Sequence, residues 1–232
     1  MCASIAAGVG RNEAGDFGSD GNNRVLAVKE ALAAGHEVLA YVRNPARLAP
    51  SPGLTIVTGS VEDAAAMTAA FKGADAVLWC LGARWAPVML FRRVDFQQRT
   101  LPRVIEAINN AGVKRFVLMS SLGVGDTASR QSPMLRLLLT GIVARNLFRD
   151  KQIAERALDD CRARWTAVYP VVLKDGPAEP DWDLIPIDRV KKVPGNPTLT
   201  FATVTRALVA LTLEQGEAGA KLLLAPKGQW QG

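Results

Sequence analysis

The sequence predicts an α/β fold, a doubly wound parallel sheet with a small C-terminal lobe, and three observations carry that expectation. Short apolar runs of strand length alternate with longer stretches of helical periodicity along the chain. The run Ala74–Leu81 is apolar apart from Asp75, the composition of a central strand buried on both faces of a parallel sheet. Finally, Gly18 to Val42 reads as a Gly-containing turn, a helix, a tight stop and a strand. That order is the first half of a unit in which backbone N–H groups at a helix start receive a pyrophosphate.

Taken in order, Ser4–Val9 is a short first strand running into Gly8-Val9-Gly10, and the polar, Gly-rich Arg11–Asp20 is an extended loop. Val25, Val28 and Leu32 recur at helical spacing within a helix over Asn23–Ala34, and Gly35 stops it. Val38–Val42 is the second strand, and Arg43-Asn44-Pro45 is a turn whose proline opens a helical turn. Leu54–Thr58 is the third strand; Asp63 suits the N-cap of a helix over Ala64–Phe71, closed by Lys72-Gly73. After Ala74–Leu81, Gly82–Pro87 is a loop. A long helix then carries Leu101, Val104, Ile105 and Ile108 on one stripe, with Pro102 predicting a kink or a late start. Arg115–Met119 is the fifth strand, ending at Ser120-Ser121. Met134–Arg162 is helical in two pieces around Thr140-Gly141, and Trp165–Pro170 is the sixth strand. Proline-rich Val171–Pro197 reads as a loop region, followed by a strand over Thr198–Phe201, a helix over Val204–Leu213 and a strand at Leu222–Leu224.

Bulk properties narrow the function classes. A chain of 232 residues, 49% hydrophobic and 22% charged, suits one domain over 1–232, with about 171–232 as the C-terminal lobe. No apolar run approaches the roughly 18 residues of a membrane span. Met1–Val9 lacks the positive start and length of a signal peptide. Cys2, Cys80 and Cys161 have no CxxC pairing, which argues for reduced thiols and a cytoplasmic setting. The net charge of +6 comes from scattered residues, and two Tyr and seven Phe show no interleaving with basic residues, so nucleic acid is not the expected partner. A basic balance suits a phosphorylated cofactor or an acidic small molecule as well. A single histidine, His36, and no ligand-spaced carboxylates argue against a metal site. Met134–Leu139 is amphipathic and basic, suited to a core-covering helix or a homodimer face rather than a membrane anchor.

Several stretches together resemble the atypical short-chain dehydrogenase/reductase superfamily, in its NAD(P)H-binding branch of biliverdin/flavin reductase-like and nitrogen-metabolite-repression-regulator-like proteins. They are Val28–Val38 with Val42–Pro45, Gly59 with Asp63, Lys72–Val77, Ala111–Val117, Ser120-Ser121, Lys151 with Glu155, and Trp165–Pro170. The resemblance implies a Rossmann-like fold and a phosphate loop of the form G-x-x-G-x-x-G. Gly18 and Gly21 match its first two glycines and Arg24 stands at the third, while Asp20 sets a carboxylate beside the pyrophosphate. A second register starts the turn at Gly8 and Gly10. A surface loop that has lost the cofactor is the other reading of this stretch.

Arg43 follows the second strand where an NAD-specific protein carries an acid, so the resemblance implies NADP(H) over NAD(H), with a solvated turn arginine as the alternative. It also puts Gly59, Ser60 and Asp63 around the adenine, and Leu81 and Gly82 along the nicotinamide side, next to Ser120. In the superfamily a Ser, a Tyr and a Lys spaced Y-x-x-x-K share the proton transfer. Ser121 and Lys151 fit two of these, but Leu147 stands where the tyrosine belongs, which leaves Tyr169 as the candidate phenol or a packed strand-end ring. Trp85, Phe148 and Trp182 are candidates to line a small-molecule cavity. The leading expectation is an NAD(P)H-dependent oxidoreductase passing hydride to a small conjugated, quinone-like or flavin-like acceptor without the usual tyrosine. A non-catalytic dinucleotide-binding regulator, or a cofactor-independent isomerase, cyclase or lyase on the same fold, are the rivals.

Overall fold

A computed structural model of the chain describes residues 4–9, 20–80, 94–137, 144–214 and 216–232. Its strands are β1 (Ser4–Val9), β2 (Glu37–Val42), β3 (Leu54–Thr58), β4 (Ala76–Trp79), β5 (Arg115–Met119), β6 (Arg164–Pro170), β7 (Val172–Lys174), β8 (Trp182–Pro186), β9 (Thr198–Thr200) and β10 (Ala220–Pro226). Its helices are α1 (Asp20–Ala33), α2 (Ala64–Phe71), α3 (Phe96–Ala111), the single turn α4 (Pro133–Leu135), α5 (Arg145–Ala154) and α6 (Phe201–Leu213). Among the described residues, eight strands form one sheet in the order β3-β2-β1-β4-β5-β6-β10-β8. All neighbours run parallel except β8, which pairs antiparallel with β10. The expected doubly wound α/β fold is therefore the observed one.

Burial explains the layering. Along β5 the side chains alternate: Phe116 and Leu118 pack with α2 and α3 through Met67, Phe71, Leu101, Val104 and Ile108. Val117 and Met119 face α1 and α6 through Ala27, Val28, Ala31, Val204 and Leu208. Period-2 alternation with both sides apolar is what a strand covered on two faces requires. The strand order reverses between β1, which leads outward to β2 and β3, and β4, which leads to β5 and β6. Gly8 of β1 lies opposite Trp79 of β4 at that switch.

Several boundaries differ from the sequence expectation, each for a local reason. Helix α1 begins at Asp20, so Gly21 lies in its first turn rather than in the turn before it. Asp is a favoured residue type at a helix start. Helix α3 starts at Phe96 and runs through Pro102, which lies on its exposed side. Its start is fixed from outside: the buried Asp150 carboxylate of α5 accepts the Gln97 N–H at 2.8 Å and the Gln98 N–H at 3.0 Å. The proline-rich segment holds β7, β8 and a 3-10 turn (Ile187–Arg189). Strand β8 is short and ends in Pro186, a residue tolerated on a sheet edge, so it carries little periodic signal. Residues 171–232 thus extend the main sheet by two strands and add the small β7-β9 pair. The second piece of the Met134–Arg162 stretch is α5 followed by a 3-10 turn (Glu155–Asp160), and Thr140-Gly141 lies outside the described residues.

Asp150→Ala is expected to cost about 2 kcal/mol, the scale of a helix cap plus two orphaned buried donors. Urea denaturation checks this, and an unchanged midpoint would remove Asp150 from its anchoring role.

Candidate active site

The C-terminal ends of the parallel strands carry the chemistry-bearing side chains. Beyond Met119 the chain stays beside β6, since Ser120 N–H donates to Val168 O at 2.8 Å and Leu122 N–H to Pro170 O at 3.0 Å. Two seryl residues are thereby held at the sheet edge, Ser120 buried and Ser121 half-buried. Facing them are Lys151 and Glu155, four residues apart and so on one side of the α5 helical run. Lys151 Nζ donates to Ser121 Oγ at 2.7 Å, and Ser121 Oγ donates to the Ser120 carbonyl at 2.7 Å. Ser120 Oγ donates to Glu155 Oε1, and the Tyr169 hydroxyl donates to Glu155 Oε2 at 2.9 Å.

Ser121 and Lys151, matched separately in the sequence, therefore come together. Tyr169 does not join them: its side chain is fully buried and its phenol serves Glu155. Burial, then the neighbouring carboxylate, push the Tyr169 phenol far above its ordinary range, so it stays a neutral donor. Burial also raises the Glu155 carboxyl, a shift opposed by its bonds from Ser120 and Tyr169 and by the Lys151 charge. Leu147, where a tyrosine would precede the lysine, is half-buried and packs into the core beside α3.

An apolar cavity of about 160 Å³ opens beside Ser121, between the ends of β5 and β6 and the segment that follows them. Leu122, Leu135, Phe148, Val171, Leu173 and Pro197 supply most of its wall. That segment is tied across the cavity by Val193 N–H to Arg130 O at 2.7 Å and Ser132 Oγ to Gly195 O at 3.1 Å. Of the expected lining aromatics, Phe148 is in the wall, Trp182 packs instead against the α1–α6 core, and Trp85 lies outside the described residues.

On the other side of the switch, Arg43 is exposed directly after β2. Gly59 N–H donates to Val42 O at 2.9 Å, and the Tyr41 hydroxyl donates to Ser60 O at 3.0 Å, which brings the end of β3 beside Arg43. A Cβ at Gly59 would overlap the Tyr41 phenol, so glycine is required there by close packing. Ser60 Oγ accepts the Glu62 N–H at 3.2 Å, and Asp63 Oδ1 caps α2 through the Ala66 N–H at 2.9 Å. Both side chains are exposed and shape this corner. Gly8 is the penultimate residue of β1, at the switch; Gly10, Gly18, Leu81 and Gly82 lie outside the described residues.

Residues 18–215 match the NAD(P)H-binding family. The chain belongs to that family. The resemblance to atypical short-chain dehydrogenases/reductases is borne out with it. Over 97 residues, 41% of the chain, it is 32% identical to the Photosystem II assembly factor Ycf39 of Synechocystis sp., a stretch spanning 29% of that protein. A short-chain dehydrogenase/reductase from Veillonella parvula, solved in complex with NADP, superposes with a TM-score of 0.75 at 15% identity, over 99% of this chain and 97% of that one. ChuY from Escherichia coli O157:H7, an anaerobillin reductase, gives 0.70 at 21% identity over 96% and 98%. At such identities the likeness is one of fold. A nicotinamide dinucleotide fits the described edge: an exposed cation at the end of β2, and a strand-order reversal where open α/β sheets bind ligands. Among the described residues no helix is long and apolar enough to cross a membrane.

What the sequence left unread is the hub, Glu155. Its four-residue spacing from Lys151 was visible, yet only the fold puts Ser120 and Tyr169 at its two oxygens. Because its folded pKa lies above the ordinary 4.5, the native state holds the proton longer than the unfolded chain. Its contribution is then fully present below pH 4.5 and is lost as pH rises through the folded value. Glu155→Gln is expected to flatten that part of the stability–pH profile measured by thermal melts. Parallel profiles for the two proteins would refute the assignment.

Proposed function

We propose that the protein is an NAD(P)H-dependent reductase that delivers hydride to a small, conjugated, quinone-like or flavin-like acceptor without a catalytic tyrosine. The observation that carries this reading is the Ser121 hydroxyl on the rim of an apolar cavity at the C-terminal edge of β5, with Lys151 Nζ donating to it at 2.7 Å. When bound, the dinucleotide would supply hydride to an electrophilic atom of the acceptor. Ser121 Oγ is the hydroxyl on that rim, and it passes its proton to the heteroatom on which negative charge develops. Lys151 replenishes that proton and steadies the developing charge. Glu155 keeps Ser120 and Tyr169 fixed behind this pair, so that the Ser120 carbonyl holds the Ser121 hydroxyl in place. The apolar wall excludes water and favours a flat, weakly polar acceptor. Arg43 selects the cofactor by pairing with a 2′-phosphate, which supports NADP(H) over NAD(H).

Titration with NADPH and NADH, followed by tryptophan fluorescence, is the direct experiment. Tight NADPH binding is expected, weakened about tenfold by Arg43→Ala while NADH is little affected. Lys151→Met is expected to lower kcat with a quinone acceptor by about two orders of magnitude while NADPH still binds. If neither dinucleotide binds at high micromolar concentration, the reading falls.

A second reading, a dinucleotide-binding regulator, is favoured by Leu147 in place of the tyrosine and by the likeness to a protein named as an assembly factor. NADPH binding with no oxidation across quinones, flavins and linear tetrapyrroles would select it.

A further inference from the structure

The wall of the cavity beside Ser121 is held in two different ways. On one side Gln131 and Phe148 pack over Gly123, where a Cβ would come within 2.8 Å of both side chains, so close packing fixes that side. The other side is made by Val172 and Leu173 of β7 and by Pro197, the residue before β9. These strands form a separate two-stranded sheet, with Val172 opposite Thr198 and Lys174 opposite Thr200. A pair that short does not hold itself in water.

One carboxylate fastens it. Glu179 reaches both members of the terminal pair: Lys174 Nζ lies 2.9 Å from Oε1, and the Thr200 N–H donates to Oε2 at 3.1 Å. Thr200 is also the N-cap of α6. In the first turn of that helix, the Thr203 hydroxyl accepts the Glu179 N–H at 2.7 Å and donates to Oε2 at 3.4 Å. The intervening turn lies against the helix start, since a Cβ at Gly176 would come to 3.0 Å from Thr200 Cγ2. These contacts are unequal. The Lys174–Glu179 pair is largely exposed and gains little in water. Thr200 and Thr203 are buried and use Glu179 as a partner, and a helix N-terminus favours a carboxylate. Helix α6 is itself set in the core through Val204 and Leu208. Glu179 thus ties a weak strand pair to a rigid element.

We propose that Glu179 is a positioning residue for the acceptor: without lining the cavity, it holds the wall of Leu173 and Pro197 against the ring seated beside Ser121. The proposal rests on the reading of this cavity as the acceptor's seat. Loosening that wall removes contacts that the bound acceptor and the transition state share, which weakens binding and leaves the hydride step unchanged.

The test follows reduction of 2-methyl-1,4-naphthoquinone by NADPH with the full chain, and reads Kd for the quinone and for NADPH separately from tryptophan quenching. Glu179→Ala is expected to raise KM and Kd for the quinone about tenfold, with kcat and NADPH affinity unchanged. Glu179→Gln keeps an accepting oxygen for the Thr200 N–H and the Thr203 hydroxyl, and is expected to stay within about twofold of wild type, as is Lys174→Met. Thr203→Val, which withdraws the hydroxyl that Glu179 uses, takes the place of Glu179→Ala if that variant does not fold, with the same split expected. Quinone affinity unchanged by the substitution, an equal fall in kcat or NADPH affinity, a Glu179→Gln variant as impaired as Glu179→Ala, or failure of the quinone to bind wild type overturns the proposal. NADPH oxidation with a quinone Kd indifferent to Glu179 sinks the proposal and spares the reductase reading. A quinone Kd that depends on Glu179, with no binding of either dinucleotide, does the reverse.

Discussion

One buried carboxylate organises the half of this molecule that carries Ser121 and Lys151. Asp150 sits under the start of α3, where unpaired backbone N–H groups and the helix dipole both favour negative charge. The contact joins a helix that covers the sheet to a helix that carries Lys151 and Glu155. Asp150 and Lys151 are adjacent, so docking the first fixes the azimuth of α5 and turns the second toward Ser121. Glu155 follows one turn later and meets Ser120 and Tyr169. Three acidic or basic side chains on one short helical run thus secure, in order, a neighbouring helix, the sheet edge, and a phenol beneath it.

The edge itself is divided by the strand order. Between β1 and β4 the connections diverge, and the end of β2, with Arg43 and the tied-down Gly59–Ser60 corner, lies on one side of that divide. Ser121, Lys151 and the apolar cavity lie on the other. A two-part ligand spanning the divide would have its charged end near an exposed arginine and its reactive end near a hydroxyl and an amine. The two parts differ in their physical character too. The Arg43 corner is polar and exposed, whereas the cavity wall is hydrocarbon apart from the Gln131 amide and the seryl rim.

Most of the sheet was legible in the sequence because its strands are apolar on both faces and its helices are amphipathic. Ser4–Val9, Leu54–Thr58, Ala64–Phe71 and Arg115–Met119 have the observed bounds. Strand β8 was not legible: five residues ending in proline carry little periodic signal, and its pairing with β10 depends on a contact some forty residues away. The site was legible in part for a similar reason. Ser121 and Lys151 sit in stretches that resemble a known pattern, and their meeting follows from the fold. Tyr169 was recognised as a residue type, but whether a strand-end phenol faces a cavity or a buried acid depends on which face of β6 it occupies.

The packing over Gly123 has an evolutionary consequence. The amide of Gln131, the ring of Phe148 and the missing Cβ of Gly123 occupy one volume that will not hold a fourth group. Enlarging any one of the three forces a change in another, so paralogues with altered ligand preference should differ at these sites together. A single enlarging substitution there would cost stability. The floor of the cavity is therefore epistatic, while its outer wall of aliphatic side chains remains free to drift one residue at a time.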